Sequence, residues 1–410
     1  MKQPLFTSTL LLLGACGGGV STSSSGSIEA DEGGDISHLA TLGSPIDAFK
    51  TACGNGGLAA SGSGMARQAY LQNVTNSSAI VGWVTTASEP QHVAFTLPDE
   101  TPVMDIGADI DHNAMRATND ENQMWSRASG LEPSTIYCYG VDGSLPMSAR
   151  AGFRTAPAAD SKAAVRFLAF GDSGGGGADQ YALLDQMYTV PYDLIIHTGD
   201  IAYDNGTINE FEDNVFGVYA ELFRSIPFFP APGNHEYNTV NNAAPFRSVF
   251  SLPGDTGKTW YSFDWGPVHF ASLDTEADYA TQAAWLDADL AASNKDWKIV
   301  YLHRPPYSSG EHGSDVGLRN KLAPVLQRNG VQLVLAGHDH DYERMIPQNG
   351  VNYVVTGGGG KGTRPVGKSA FTAYSTAAIH FVYGEVDGDT LTLHAIDAAG
   401  KEFDSLVITR

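Results

Sequence analysis

The side chains best equipped for chemistry fall in five short motifs, each directly after an apolar run. They are Gly171-Asp172-Ser173-Gly174, Gly199-Asp200-Ile201-Ala202-Tyr203, Gly233-Asn234-His235-Glu236, Val300-Tyr301-Leu302-His303 and Gly337-His338-Asp339-His340. Taken singly none is specific, since Gly-Asp is a common turn and a lone histidine is usually solvated or a satisfied core residue. Five in order, each closing an apolar strand, point to one site, because ligands of α/β sheets gather at the carboxyl ends of strands. The donors Asp172, Asp200, Tyr203, Asn234, His303, His338 and His340 suit a pair of cations bridged by Asp200. Hard trivalent iron prefers oxygen, so Asp172, Asp200 and Tyr203 with His340 suit Fe(III). Asn234, His303 and His338, with the shared Asp200, suit a divalent ion such as Zn, Mn or Fe(II). The glycines beside the donors are expected to let the backbone turn sharply.

Positioning these motifs requires a layered scaffold. Past Lys162 the pattern is strand, glycine-rich loop, helix, with apolar strands at 165–170, 193–198, 299–302 and 331–336. Helical stretches at 178–188 and 277–292 alternate with them, which predicts an α/β core with covered sheets. The tail, 379–408, reads as a hairpin around Asp387-Gly388-Asp389. From Gln68 to Thr155 the rhythm differs: short alternating strands such as 79–84 and 135–139 predict a β-sandwich. Trp83 and the run Gly130 to Tyr137 resemble the fibronectin type III fold, in which Tyr137 would tie down a turn through its hydroxyl.

The five motifs resemble the purple acid phosphatases within the calcineurin-like metallophosphoesterases, over residues 165 to 340. Metallophosphoesterases generally carry Asp-x-His in the first motif; here position 174 is glycine, and Tyr203 in the second motif takes the place of that histidine, as in the purple enzymes. The resemblance implies a four-layer αββα catalytic domain (162–410) behind a fibronectin III-like sandwich (65–157). It also implies hydrolysis of phosphate monoesters by water activated on an Fe(III)–M(II) pair, the substrate being a small phosphate ester. His235 and His312 are implied as the catalytic histidines that steady the phosphoryl group or protonate the leaving alkoxide. Glu236 is expected to orient His235, and Arg304 and Tyr307 either border the pocket or lie on the surface. The same donors would also serve phosphodiester or nucleotide hydrolysis. A reading from another class is an inactive surface lipoprotein that binds partners through its sandwich; the complete donor set argues against it.

Composition bounds these readings. A formal net charge of -22 over 410 residues opposes nucleic acid and anionic membrane as partners, and it requires local positive charge wherever a phosphate binds. Lys2, the apolar run 10–13 and Leu13-Gly14-Ala15-Cys16 resemble a bacterial lipoprotein signal (1–15). This implies an acylated Cys16, an exported cell-envelope protein whose only membrane contact is that anchor, and a flexible tether over 16–64. Of the three cysteines, Cys53 and Cys138 would remain, and an even pair in an exported chain is expected to form a disulfide. Residues 362–369 spell a P-loop, but Gly357 to Gly360 and Pro365 deny it the strand-to-helix setting that motif needs. Asp109, Asp111 and Asn113 lack the glycine and glutamate of a calcium loop.

Overall fold

A computed structural model of the chain describes residues 43–54, 56–59, 63–141, 150–238, 243–254 and 257–410. The signal segment and Cys16 lie outside the described residues. Two four-stranded antiparallel sheets form the N-terminal sandwich. One runs Met65–Gln72, Ser78–Thr85, Asn122–Ser129, Asp109–Asp111; the other Pro102–Gly107, His92–Thr96, Ile136–Val141, Ala151–Arg154. Trp83 is fully buried between them, its indole N–H donating to Gln91 Oε1 at 2.6 Å. The expected corner is present: the Glu132 N–H donates to the Tyr137 hydroxyl at 2.8 Å.

The expected tether is partly ordered. Asp47–Cys53 is a helix that buries Phe49 and Cys53, with Ile46 buried just before it. This spacing, i, i+3 and i+7, makes one apolar face. Cys53 is joined to Cys138 by a disulfide with Cα atoms 5.3 Å apart. In the sequence this short stripe is masked by its polar, glycine-rich surroundings.

The C-terminal region, 162–410, contains two sheets. The first has strand order Phe228–Pro230, Leu194–His197, Val165–Phe170, His380–Asp387, Thr390–Asp397, Glu402–Thr409; the first three are mutually parallel. The second runs Tyr261–Trp265, Val268–Ser272, Trp297–Leu302, Leu333–Ala336, Asn352–Thr356, Tyr342–Met345, Thr372–Thr376, with a parallel centre. Phe167, Ile196, Phe270, Ile299 and Leu335 fill the space between the sheets. Each such side chain contributes about 1.5–3 kcal/mol by leaving water. Outside the first sheet pack Ala178–Met187 and Gly217–Phe223; outside the second pack Tyr279–Ala292 and Val316–Arg328. The result is the four-layer αββα arrangement. Asp278 and Asp315 cap the latter two helices by accepting from the N–H of Thr281 and Leu318. A strand, Thr372–Thr376, and no helix follows the P-loop-like stretch.

Sandwich and C-terminal layers are fastened by specific bonds. Arg67, buried in the sandwich, pairs with Glu212, which opens a helical turn, Glu212–Phe216, of the C-terminal region. The Tyr139 hydroxyl donates to the Arg224 carbonyl at 2.8 Å.

Candidate metal centre

Each of the parallel strands Val165–Phe170, Leu194–His197, Phe228–Pro230, Trp297–Leu302 and Leu333–Ala336 ends at one edge, and the loop after it delivers one motif. Asp172, Asp200 and His338 adopt φ of 60°, 53° and 73°. Non-glycine residues rarely occupy this left-handed region, and they do so where the surrounding structure enforces it. Among Gly171, Gly199, Gly233 and Gly337, only Gly199 has positive φ. The turning is therefore done mainly by the donors themselves, contrary to the expectation from sequence. The glycines serve close approach instead. A Cβ on Gly233 would fall 2.2 Å from Asp200 Oδ1, one on Gly337 2.6 Å from Asp172 Oδ2, and one on Gly199 2.7 Å from His303 Nδ1.

All seven expected donors converge. The Tyr203 hydroxyl lies 3.0 Å from Asp172 Oδ1, 3.0 Å from Asp200 Oδ2 and 3.1 Å from His340 Nε2. On the other side of Asp200, His303 Nε2 lies 3.3 Å from Asp200 Oδ2, 3.1 Å from Asn234 Oδ1 and 3.2 Å from His338 Nδ1. Donor atoms of Asp200, His303 and His338 all lie within 4.8 Å of one another, and all three residues are buried. Asp200 is thus the member common to both groups. His303 Nδ1 sits 3.0 Å from the Thr198 carbonyl, which fixes that nitrogen as protonated and turns Nε2 inward.

This donor set fits cations. One phenolic proton faces three acceptors around Tyr203, and His303 faces three more, so lone pairs outnumber protons in a buried space. The electrostatics carry the same message. Burial first, then Asp172 and Asp200, push the Tyr203 phenol well above its ordinary range. Burial and then the neighbouring His303 push His338 down to about 2, so its ring is held neutral. Against the burial that opposes charge, His303 and His235 keep Asp200 well below the usual carboxylate range.

The exchange at position 174 has a steric cause. A Cβ on Gly174 would lie 1.8 Å from the Ile201 carbonyl, and Gly174 bridges Ala202 while its own carbonyl accepts from the Tyr203 N–H at 2.9 Å. No side chain fits at 174, and the same contact seats Tyr203 where its hydroxyl enters the cluster.

His235 and His312 flank the cluster. The His235 ring lies 4.3 Å from Tyr203 and its Nε2 is 3.8 Å from Asp200 Oδ2, with Nδ1 against the Asp204 carbonyl. His312 stacks on His338 at 4.2 Å, and Asp339 holds its loop by accepting from the N–H groups of His312 and Gly313. Burial and then Arg364 push the His312 imidazole below its usual value. Glu236 does not orient His235. Its carboxylate accepts from the N–H groups of Ile201, Ala202 and Gly233, clamping the second motif to the third. Arg304 does reach the site, its Nη1 3.2 Å from His338 Nε2 and its Nε paired with Glu276. Tyr307 packs on Tyr353, Phe371 and Arg319 instead, away from the donors.

One functional stretch escaped the sequence reading. Gly357 to Gly360 form a strap across the donor loops: the Gly359 N–H donates to the Gly171 carbonyl, Lys361 N–H to Asp172, and Arg364 N–H to His340. A Cβ on Gly357 or Gly359 would fall 2.1 Å from the carbonyls of Asp339 and Gly171 respectively. The run of glycines was itself the available signal, since such a run fits only where backbones nearly touch.

Comparison with known proteins agrees with this arrangement. Residues 165–342 match the family model described as calcineurin-like phosphoesterase. Human acid phosphatase type 7 is 33% identical over 261 residues, covering 56% of this chain and 57% of the relative. Purple acid phosphatase 23 of Arabidopsis thaliana is 30% identical over 278 residues, 56% of this chain and 61% of the relative. The chain thus spans less than two thirds of the length of either. A purple acid phosphatase from yellow lupin seeds superimposes with a TM-score of 0.74 over 83% of this chain and 74% of its own, at 21% identity, a likeness of fold. Residues 165–342 therefore match a calcineurin-like phosphoesterase domain, and the relatives they resemble include proteins named acid phosphatase and purple acid phosphatase.

Proposed function

We propose that the protein hydrolyses phosphate monoesters at a binuclear Fe(III)–M(II) centre, as an exported acid phosphatase. The observation that carries this reading is the Tyr203 hydroxyl standing between Asp172, Asp200 and His340. That oxygen-rich group would hold Fe(III), and Asp200, Asn234, His303 and His338 would hold the divalent ion, Zn, Mn or Fe. Bound cations there supply Lewis acidity, lowering the pKa of water and drawing charge from the phosphoryl oxygens.

The chain's own residues do the rest. Asp200 couples the two donor groups, and the Thr198 carbonyl keeps His303 in the tautomer that presents Nε2. His235, braced by the Asp204 carbonyl and the Tyr203 ring, turns Nε2 toward the cluster, where it would donate a proton to the departing oxygen. Arg304 and the strap cations offset the acidic field locally, as a phosphate requires. Lipidation of Cys16 would tether the enzyme to the cell envelope.

Elemental analysis with an absorption spectrum tests the reading. Two metal ions per chain, one of them iron, and a visible phenolate-to-iron band are expected. Tyr203→Phe should abolish that band and leave circular dichroism unchanged. A band that persists in the variant excludes Tyr203 as ligand. Faster turnover of bis(p-nitrophenyl) phosphate than of p-nitrophenyl phosphate would shift the assignment to diester hydrolysis.

A further inference from the structure

Three cations border the donor cluster, and they are not equivalent. Arg304 is paired with Glu276 and Lys361 with Asp204 at 2.6 Å. Arg364 has no such partner: among the described residues no carboxylate lies within ion-pair distance of it, and its guanidinium donates to His312 Nε2. A guanidinium cannot accept, so His312 meets it as a neutral acceptor. Arg364 is held in place at three points. The strap's Lys361 and Arg364 N–H groups are fixed on the carbonyls of Asp172 and His340, and the Gly367 N–H on that of Ser309. His312 in turn stacks on His338 at 4.2 Å. A half-buried guanidinium thus stands beside the donor cluster, in a chain of net charge -22, hydrogen-bonded to a neutral ring and acting at longer range on the buried Asp341.

We infer that Arg364 is the specificity-determining residue for the second negative charge of a phosphate monoester. The inference rests on the phosphoesterase reading above. A phosphate oxygen adds charge attraction that a neutral imidazole cannot offer a guanidinium, and the planar fork matches two phosphate oxygens. An arriving dianionic monoester would replace His312 as the partner of Arg364 and release His312 from that contact. A monoanionic diester gains less from the same contact.

Steady-state kinetics on the metal-loaded full chain tests this. Arg364→Ala should lower kcat/KM for p-nitrophenyl phosphate about 30-fold, chiefly through KM, and that for bis(p-nitrophenyl) phosphate far less. The monoester-to-diester ratio should fall about tenfold. Arg364→Lys, which keeps the charge and loses the fork, should fall between. The inhibition constant of inorganic phosphate should rise in parallel with the monoester KM. A ratio unchanged in both variants overturns the inference, whether both rates drop together or neither does. Should the wild type turn over neither ester, the phosphoesterase reading fails separately. Calorimetric binding of inorganic phosphate then decides for Arg364: about tenfold weaker in Arg364→Ala supports it, and equal binding overturns it.

Discussion

Gly233 has no room for a methyl group, because Asp200 Oδ1 and the Asp200 N–H occupy that space at 2.2 and 2.3 Å. Gly233→Ala should therefore displace Asp200 and cost about 1–3 kcal/mol of stability through overpacking. Metal content measured with denaturation midpoints checks this; full metal content at wild-type stability would show that the loop yields. At this scale the donors were legible, since a carboxylate, phenol or imidazole announces itself by type and each followed an apolar strand. What the sequence did not disclose is which backbone bends. Asp172, Asp200 and His338 are bent themselves, a conformation that the tertiary packing imposes and residue propensity disfavours. Glu236 was misread for a related reason: its partners are backbone N–H groups, which every residue possesses and which leave no mark in a motif.

The short helical turn Glu212–Phe216 joins the two parts of the molecule. Its first residue takes Arg67 of the sandwich, which also lies over Phe216 at 4.2 Å and donates to Gln123 at 2.7 Å. Its third residue, Asn214, donates from Nδ2 to the Tyr203 carbonyl at 3.2 Å, while its own carbonyl accepts from Gln180. The sandwich thereby steadies the loop bearing the phenol. Arg67→Met should destabilise the protein by about 2 kcal/mol, since it strands Glu212 at a partly wet interface. Urea unfolding measures it; an unchanged midpoint would reduce the ion pair to decoration. The apolar strands were readable because burial on both faces leaves an uninterrupted hydrophobic run. The helix Asp47–Cys53 was not, because three apolar residues in a polar stretch are too few to outweigh composition.

Across the whole molecule the acidic balance makes each buried cation consequential. His269, on the strand Val268–Ser272, is bonded by Asp264 at 2.7 Å and Asp289 at 2.9 Å. Burial works against its charge, yet the two carboxylates hold the imidazole up at about 9. The folded protein therefore binds this proton more tightly than the unfolded chain, whose histidine titrates near 6.5. The contribution is complete below about pH 6.5, declines as pH rises, and is lost above about 9. Wild type should lose about 2 kcal/mol relative to His269→Gln between pH 6.5 and 9.5, allowing for solvent at half-exposed Asp264. An equal stability difference between the two proteins at both pH values, measured by chemical denaturation, would refute this.

The glycine strap divides its labour in a way that bears on how such a protein diversifies. Along Gly357 to Gly360 no position tolerates a side chain, because neighbouring backbone and side-chain atoms already fill every Cβ location. Just beyond, Lys361 and Arg364 project with their backbones pinned to Asp172 and His340. Path and payload are thus separate. The two heads can be exchanged by point mutation without rerouting the rail that carries them, so the charge beside the cluster can vary while its seven donors stay untouched.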